Sequence, residues 1–409
     1  MTIQQQNGDP VTPRKRVLTA LHHHQPDRQP VDFLATPEIW RRLQTKIGVP
    51  NSPLSDQDFL DPAWESILQH FAVDCRVISY DQFCCPPQQQ LLPGGQIDWW
   101  NALSRSTPNR MWRQNLPDGT SRDIWGHVIR VVNNPTGAYE EYATWPLATA
   151  TSTNELKGHL WPEPDWWDFT PLRRLMAQYD AQEEYHLRFR IGSVFEIAWQ
   201  LRGLQEFLMD MVNQPEIPQY IMERLTDVYV ENTRRVLELA GDRLDMVYFY
   251  DDVATQQNLM ISARMWRRVI KPLHQRIIDV AKKFGKPVMY HCDGALYPLI
   301  PELIDMGIDV LNPVQADAAG MDPQRLKAEF GDRLSFHGGL DIIKTLPRGT
   351  VADVQAEVTE RINVLGKEGG YILASSHHIQ SDTPLDNVFA MYAMEIRTPA
   401  ATNLEKNHA

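Results

Sequence analysis

Side chains that bind metals or move protons stand just after the short apolar runs of this chain. The clearest case is Val288-Met-Tyr-His291-Cys292-Asp293-Gly294, where a β-branched and aromatic run ends in three ligand-type residues and a glycine turn. Along an extended segment His291 and Asp293 point to one side, roughly 7 Å apart, and Cys292 points to the other. An imidazole beside a carboxylate suits a bound cation or proton transfer. Other runs end similarly: in Glu196; in Asp251, Asp252, Thr255 and Gln256; in Asn312 and Gln315; in His337 and Asp341; and in Ser375, Ser376, His377, His378 and Gln380. Taken singly these are ordinary, since Asp252 could cap a turn and His337 could be a hydrogen-bonded core histidine. If they converge on one rim, that rim is a functional site. Asp252, His291 and Glu196 are then its candidate catalytic residues, and Asp251, Gln256, Gln315, Asp341 and His378 its candidate substrate contacts.

The elements that would bring them together follow a regular beat. Val31 to Ala35 and Cys75 to Tyr80 read as two early strands, and Leu187 to Ile191, Asp245 to Tyr250, Val288 to Tyr290, Val310 to Leu311, Leu334 to Phe336 and Tyr371 to Leu373 as six more, with segments of helical period between them. Eight such units predict one α/β domain over 1–409, a (β/α)8 TIM barrel whose chemistry sits at the C-terminal ends of the strands. Helices are expected from Glu196 to Val212 and, capped by Ser262 and kinked at Pro272, from Ser262 to Phe284. Residues 81–186, between the second and third strands, break the beat. They hold eight of the twelve tryptophans and two alternating stretches, His127 to Val132 and Tyr139 to Tyr142, that predict β-hairpins in an inserted flap with a satellite core. The ends, 1–11 and 398–409, read as loose.

A net charge of −12 and a pI near 5.5 argue against nucleic acid and acidic membrane surfaces as partners. No apolar run approaches the ~18 residues of a membrane span. Four cysteines without Cys-x-x-Cys spacing indicate neither a disulfide framework nor a thiolate zinc knuckle, so the expected setting is reducing and cytoplasmic. A homodimer is compatible with all of this.

Several stretches together resemble the uroporphyrinogen decarboxylase superfamily: Val288-Met-Tyr-His-Cys-Asp-Gly294, Pro298-Leu-Ile-Pro-Glu-Leu-Ile304, Gly307-Ile-Asp-Val-Leu-Asn-Pro313, Phe336-His-Gly-Gly-Leu-Asp341 and Gly369-Gly-Tyr-Ile-Leu373, with Arg16-Val-Leu-Thr-Ala-Leu21 and Pro26-Asp-Arg-Gln-Pro-Val31 near the start. The resemblance implies a (β/α)8 barrel that is either a tetrapyrrole decarboxylase or a methyltransferase serving a corrinoid or a thiol, often with zinc. The decarboxylases carry an Arg-Gln-Ala-Gly-Arg stretch that holds substrate carboxylates, where this chain reads Leu34-Ala-Thr-Pro-Glu-Ile-Trp-Arg41-Arg42. The zinc methyltransferases use a His-x-Cys pair and a later Cys. His291 matches the first, Asp293 stands at the second position and His377 at the third, which implies a site for Zn²⁺ or another divalent cation made of two imidazoles and one carboxylate. Loss of both thiolates favours an oxygen or amine methyl donor over a thiol. The resemblance therefore implies methyl transfer from a small O- or N-methylated molecule to a corrinoid supplied in trans by a partner protein. The alternatives are a decarboxylase acting on a small acid or tetrapyrrole, with Asp252 or His291 handling the proton, and a non-catalytic small-molecule-binding barrel.

Overall fold

The computed structural model describes residues 11–50, 59–88, 91–98, 111–134 and 137–393. Apart from Val11, the ends expected to be loose lie outside these residues, as do Trp99 and Trp100.

Seven parallel strands, Cys75–Ser79, His186–Arg190, Met246–Tyr250, Val288–His291, Val310–Val314, Ser335–Leu340 and Tyr371–Ser375, pair in sequence order and curl into an α/β half-barrel. They are the second to eighth of the expected set. The first, expected over Val31 to Ala35, is an irregular segment in the eighth place. Val31 and Ala35 form single parallel bridges to Leu373 and Ile379, and on the other flank the Asp74 amide donates to the Val31 carbonyl at 3.0 Å. Pro30 has no N–H to offer a ladder, and Asp32 turns its own carboxylate onto the Phe33 amide, 2.9 Å away. This segment links the last strand to the first without becoming a regular strand.

Register sets the rim. Tyr250 pairs with His291, and His291 with Asn312, so three side chains from neighbouring strands stand in one row at the C-terminal ends. Helices cover the outside, and their breaks follow local chemistry. The helix expected over Glu196 to Val212 is two, Phe195–Arg202 and Leu204–Asn213, because Gly203 takes a φ of 91° between them. Ser262 does cap the next, its oxygen accepting from the Met265 amide, but Pro272 ends it rather than kinking it, leaving Ala263–Val269 and Lys271–Lys283.

Between the second and third strands the chain forms an antiparallel meander, Gln96–Asp98, Arg113–Asn115, Ser121–Arg122, Val128–Asn134 and Gly137–Thr144. The last two are the expected hairpin. The tryptophans around it do not make a satellite core: Trp112, Trp125, Trp161, Trp166 and Trp167 are buried in the same hydrophobic cluster as the barrel. Trp167 also donates to the Tyr80 carbonyl at 3.0 Å. Large rings with one polar handle join the insertion to the barrel this way.

Candidate active site

His291 ends the fifth strand, Asp293 follows two residues later, and His377 follows the eighth strand. Their ligand atoms all lie within 4.8 Å of one another. His291 Nε2 is 3.7 Å from Asp293 Oδ1, and His377 Nε2 is 3.5 Å from Asp293 Oδ2. The carboxylate thus stands between two ring nitrogens, too far for good hydrogen bonds to either. Asp293 Oδ1 is buried with no hydrogen-bond partner among the described residues, a costly condition that a cation at this point would relieve. Two imidazole nitrogens and one carboxylate suit Zn²⁺ or a harder divalent ion with an open position, so the donor set fits such a group.

The chain holds this set from behind. Gly294 turns with φ of 89°, and a Cβ there would come within 2.4 Å of the Thr255 carbonyl oxygen, so only glycine fits. The Gly294 amide donates to Gln315 Oε1 at 2.8 Å, and the Asp293 amide to Asp252 Oδ1 at 2.8 Å. Asp252 reaches to 4.0 Å from His291 Nε2, and burial pushes its pKa up. His377, half-buried, is pushed below its ordinary value by burial. Behind His291 a buried chain runs inward: His291 Nδ1 lies 2.5 Å from Asn312 Oδ1, Asn312 Nδ2 meets His337 Nδ1, His337 Nε2 lies 2.9 Å from Asp32 Oδ2, and Arg188 is paired with Asp32.

Beside the cluster a cleft of about 400 Å³ opens between the rim and the inserted sheet. The insertion contributes Trp125, Ile129 and Tyr142; the barrel contributes Tyr250, Glu196 and His378. His378 stacks edge-on to His377 at 4.5 Å, which joins the cleft to the cluster. Gln200 Nε2 donates to Glu196 Oε1 at 2.9 Å, and the Tyr142 hydroxyl donates to Gln200 Oε1 at 3.0 Å. Burial, with the nearby charges of Asp252, Asp251 and Asp293, pushes the Glu196 carboxyl up to about 8.

Four expected substrate contacts are not in this space. Asp251 is fully buried, and its oxygens accept from Ser193 Oγ at 2.6 Å, the Val194, Phe195 and Glu196 amides at 3.2, 2.8 and 2.8 Å, and His274 Nε2 at 2.7 Å. It anchors the start of the helix carrying Glu196 and has no capacity left for a ligand. Gln256 points to solvent, with its carbonyl accepting from Ala319. Asp341 accepts from the Ile343 and Lys344 amides at 2.6 and 3.0 Å and so closes its own turn. Gln315 is buried under the Gly294 turn and acts as a brace. Asp252, Glu196 and His378 do stand at the site. The sequence reading missed Arg188, Asp32, Arg190 and Tyr142. Arg190 lines the cleft, donating to Ser79 Oγ at 3.0 Å and reaching Asp81 at 3.4 Å.

Comparisons with known proteins agree with this architecture. A methylated-thiol–coenzyme M methyltransferase of Methanosarcina mazei is 25% identical over 214 residues, which are 50% of this chain and 51% of the relative, so the match spans about half of that relative's length. A solved methyltransferase from Methanosarcina mazei superposes with a TM-score of 0.61 at 19% identity, covering 94% of this chain and 98% of that one, which is a likeness of fold. The sequence pattern of uroporphyrinogen decarboxylase (URO-D) matches residues 174–395, the stretch that carries Glu196, Asp252, His291, Asp293 and His377 and more than half of the whole. This chain belongs to the uroporphyrinogen decarboxylase family.

Proposed function

We propose that this protein is a methyltransferase that takes a methyl group from a small O- or N-methylated molecule and delivers it to a corrinoid carried by a partner protein. The observation that carries the reading is the meeting of His291, Asp293 and His377 at the mouth, with an oxygen of Asp293 left without a donor, beside a cleft lined by Glu196. The similarity to a methylated-thiol–coenzyme M methyltransferase supports the methyl-transfer chemistry. The absence of thiolates from the trio favours oxygen or nitrogen over sulfur as the donor atom.

His291, Asp293 and His377 would hold a divalent ion, which would supply Lewis acidity toward the heteroatom that bears the methyl group. The chain's own groups do the rest. Trp125 and Tyr142 of the insertion wall the cleft and hold the donor's body away from bulk water. Glu196, kept protonated near neutral pH, holds a proton where the heteroatom departs and gives it up as the carbon–heteroatom bond breaks. Asp252 fixes the Asp293 main chain and thereby the direction of its carboxylate.

The test is the purified protein with a panel of methoxylated arenes and methylated amines, high cob(I)alamin, and the absorbance of methylcobalamin as the signal. Transfer from at least one donor is expected, and His291→Ala should lower it at least a hundredfold, about 2.7 kcal/mol of transition-state stabilisation, with circular dichroism unchanged. Carbon dioxide release from uroporphyrinogen, with no methyl transfer from any donor, would overturn the reading.

A further inference from the structure

The buried chain behind His291 has a direction. Asp32, Asn312, His337 and Arg188 are all at most 3% exposed, on the irregular first segment and on the sixth, seventh and third strands, so they fill the barrel interior with a polar layer where apolar side chains ordinarily pack. Asp32 is paired with Arg188, which holds its pKa far below the carboxylate range against the opposing effect of burial. An ionised carboxylate accepts only, so His337 Nε2, 2.9 Å away, carries the hydrogen; two acceptors at that distance would repel. Arg188 Nη1 also comes within 3.4 Å of that nitrogen, a long contact that does not compete. Burial pushes the His337 pKa down and keeps the ring neutral, so its Nδ1 is an acceptor. Asn312 therefore turns its amide nitrogen to His337 and its oxygen to His291. An amide oxygen requires a donor in return, so His291 carries a hydrogen on Nδ1, and in the neutral ring the lone pair is on Nε2, the atom that faces Asp293 and Asp252.

We propose that Asp32, through His337 and Asn312, sets the tautomer of His291 and so presents Nε2 as a ligand atom; all three are positioning residues. The consequence for metal affinity rests on the ion site proposed above, whereas the tautomer itself does not. Partners of this kind typically change metal affinity 10–100-fold when removed.

The experiment uses full-length protein stripped with chelator, labelled with ¹⁵N at the histidine rings, with the His291 signals assigned by their loss in His291→Gln. The parent should show a protonated Nδ1 and an unprotonated Nε2 at His291. His337→Phe keeps a ring in place and leaves Asp32 and Arg188 paired but removes the acceptor that orients Asn312; His291 should then appear as a mixture of both tautomers and Zn²⁺ affinity, read against a competing chelator, should fall about 10–100-fold. Asn312→Leu, which leaves Asp32 and Arg188 paired, should give a mixture of both tautomers and a similar loss of affinity. A parent spectrum with hydrogen on Nε2 overturns the proposal without any variant. So does an unchanged His291 pattern in whichever of the two variants folds. If the parent shows the expected tautomer but no Zn²⁺ affinity, the relay stands and the ion site falls.

Discussion

Replacing Asp251 by alanine should destabilise the fold without directly touching the site, although Asp251 adjoins Asp252 in sequence. In the structure its carboxylate takes the Val194, Phe195 and Glu196 amides, the Ser193 hydroxyl and the His274 ring N–H, and none of the five donors has water at hand where Asp251 is fully buried. A donor orphaned in such a place costs about 1–3 kcal/mol, and loss of a helix cap alone about 0.5–2 kcal/mol. Some donors will rotate or admit water into the space the carboxylate vacates, so we expect a net loss of ~3–5 kcal/mol, a large fraction of the ~5–15 kcal/mol that holds a typical domain together. Asp251→Asn keeps one accepting oxygen and turns an amide N–H toward another donor, so a smaller loss of ~2 kcal/mol follows. The assay is urea unfolding followed by tryptophan fluorescence on chelator-treated protein, with donor-ligand binding measured separately below the transition. The midpoint should move sharply in Asp251→Ala while ligand affinity, per folded molecule, falls only modestly, since the carboxylate holds main-chain amides and the Ser193 and His274 side chains and does not itself face the cleft. Full stability with affinity lost would mean that the carboxylate does face the ligand and that its place in the helix cap has been misjudged.

Four other outcomes follow from the same geometry. Protein never exposed to chelator should carry about one divalent ion per chain and lose it in His291→Ala; no stoichiometric metal, together with no rise in melting temperature on adding Zn²⁺, rules out the ion site. Cys292→Ser should leave metal content and activity within about threefold, because the buried Sγ accepts from the Val253 amide at 3.4 Å and donates to the Asp293 carbonyl at 3.3 Å, roles a hydroxyl fills; a hundredfold loss in folded protein would make the thiol a ligand. In metal-free protein Glu196 titrates near 8 when folded against an ordinary 4.5, so the stability that its neutral form contributes is complete below about 4.5, falls as pH rises, and is gone above about 8; the unfolding midpoint of Glu196→Gln should lack this decline, and parallel pH curves would contradict the assignment. Tyr142→Phe removes the donor to Gln200 and frees that amide to turn its oxygen toward the Glu196 proton, so methyl transfer should drop about tenfold, ~1.4 kcal/mol, at unchanged metal affinity; no change would reduce the insertion to a scaffold.

Alternation and strand ends carried most of what the sequence could say about the site. The reading that His291 and Asp293 share a side and Cys292 does not is matched by a fully buried Cys292 between two half-buried ligand-type residues. The same rule, applied one strand earlier, separates Asp251 from Asp252: consecutive residues leaving a strand face opposite ways, and the one facing outward meets the helix start that needs an acceptor. Placing both residues on the rim, one as a catalytic group and one as a substrate contact, hid that. Gln256 and Asp341 misled for a related reason. Polar residues after a strand serve either a ligand or their own turn, and only the path of the backbone decides which amides lie within reach. The irregular first segment was equally out of reach, since Val31 to Ala35 has the composition of a strand and fails to become one only because Pro30 and the Asp32 side chain withhold or divert the ladder bonds.

The polar layer inside the barrel was nevertheless written in the third strand. His186–Arg190 alternates Leu187 and Phe189 with Arg188 and Arg190 in an element that parallel barrels bury on both faces, where continuous apolar runs are the rule. A guanidinium committed to such an interior must find a carboxylate, because an unpaired buried charge is prohibitive. Asp32 is that partner for Arg188, and Arg190 reaches Asp81. Each ion pair then imposes order on what adjoins it: Asp32 sets the hydrogen-bond direction through His337 and Asn312 to His291, while Arg190 stands in the cleft beside Glu196. Two arginines at alternate positions of one strand thus reach both halves of the site, the ligand atom on one side and the substrate space on the other. That coupling explains why an interior which apolar residues would pack more cheaply holds charge instead.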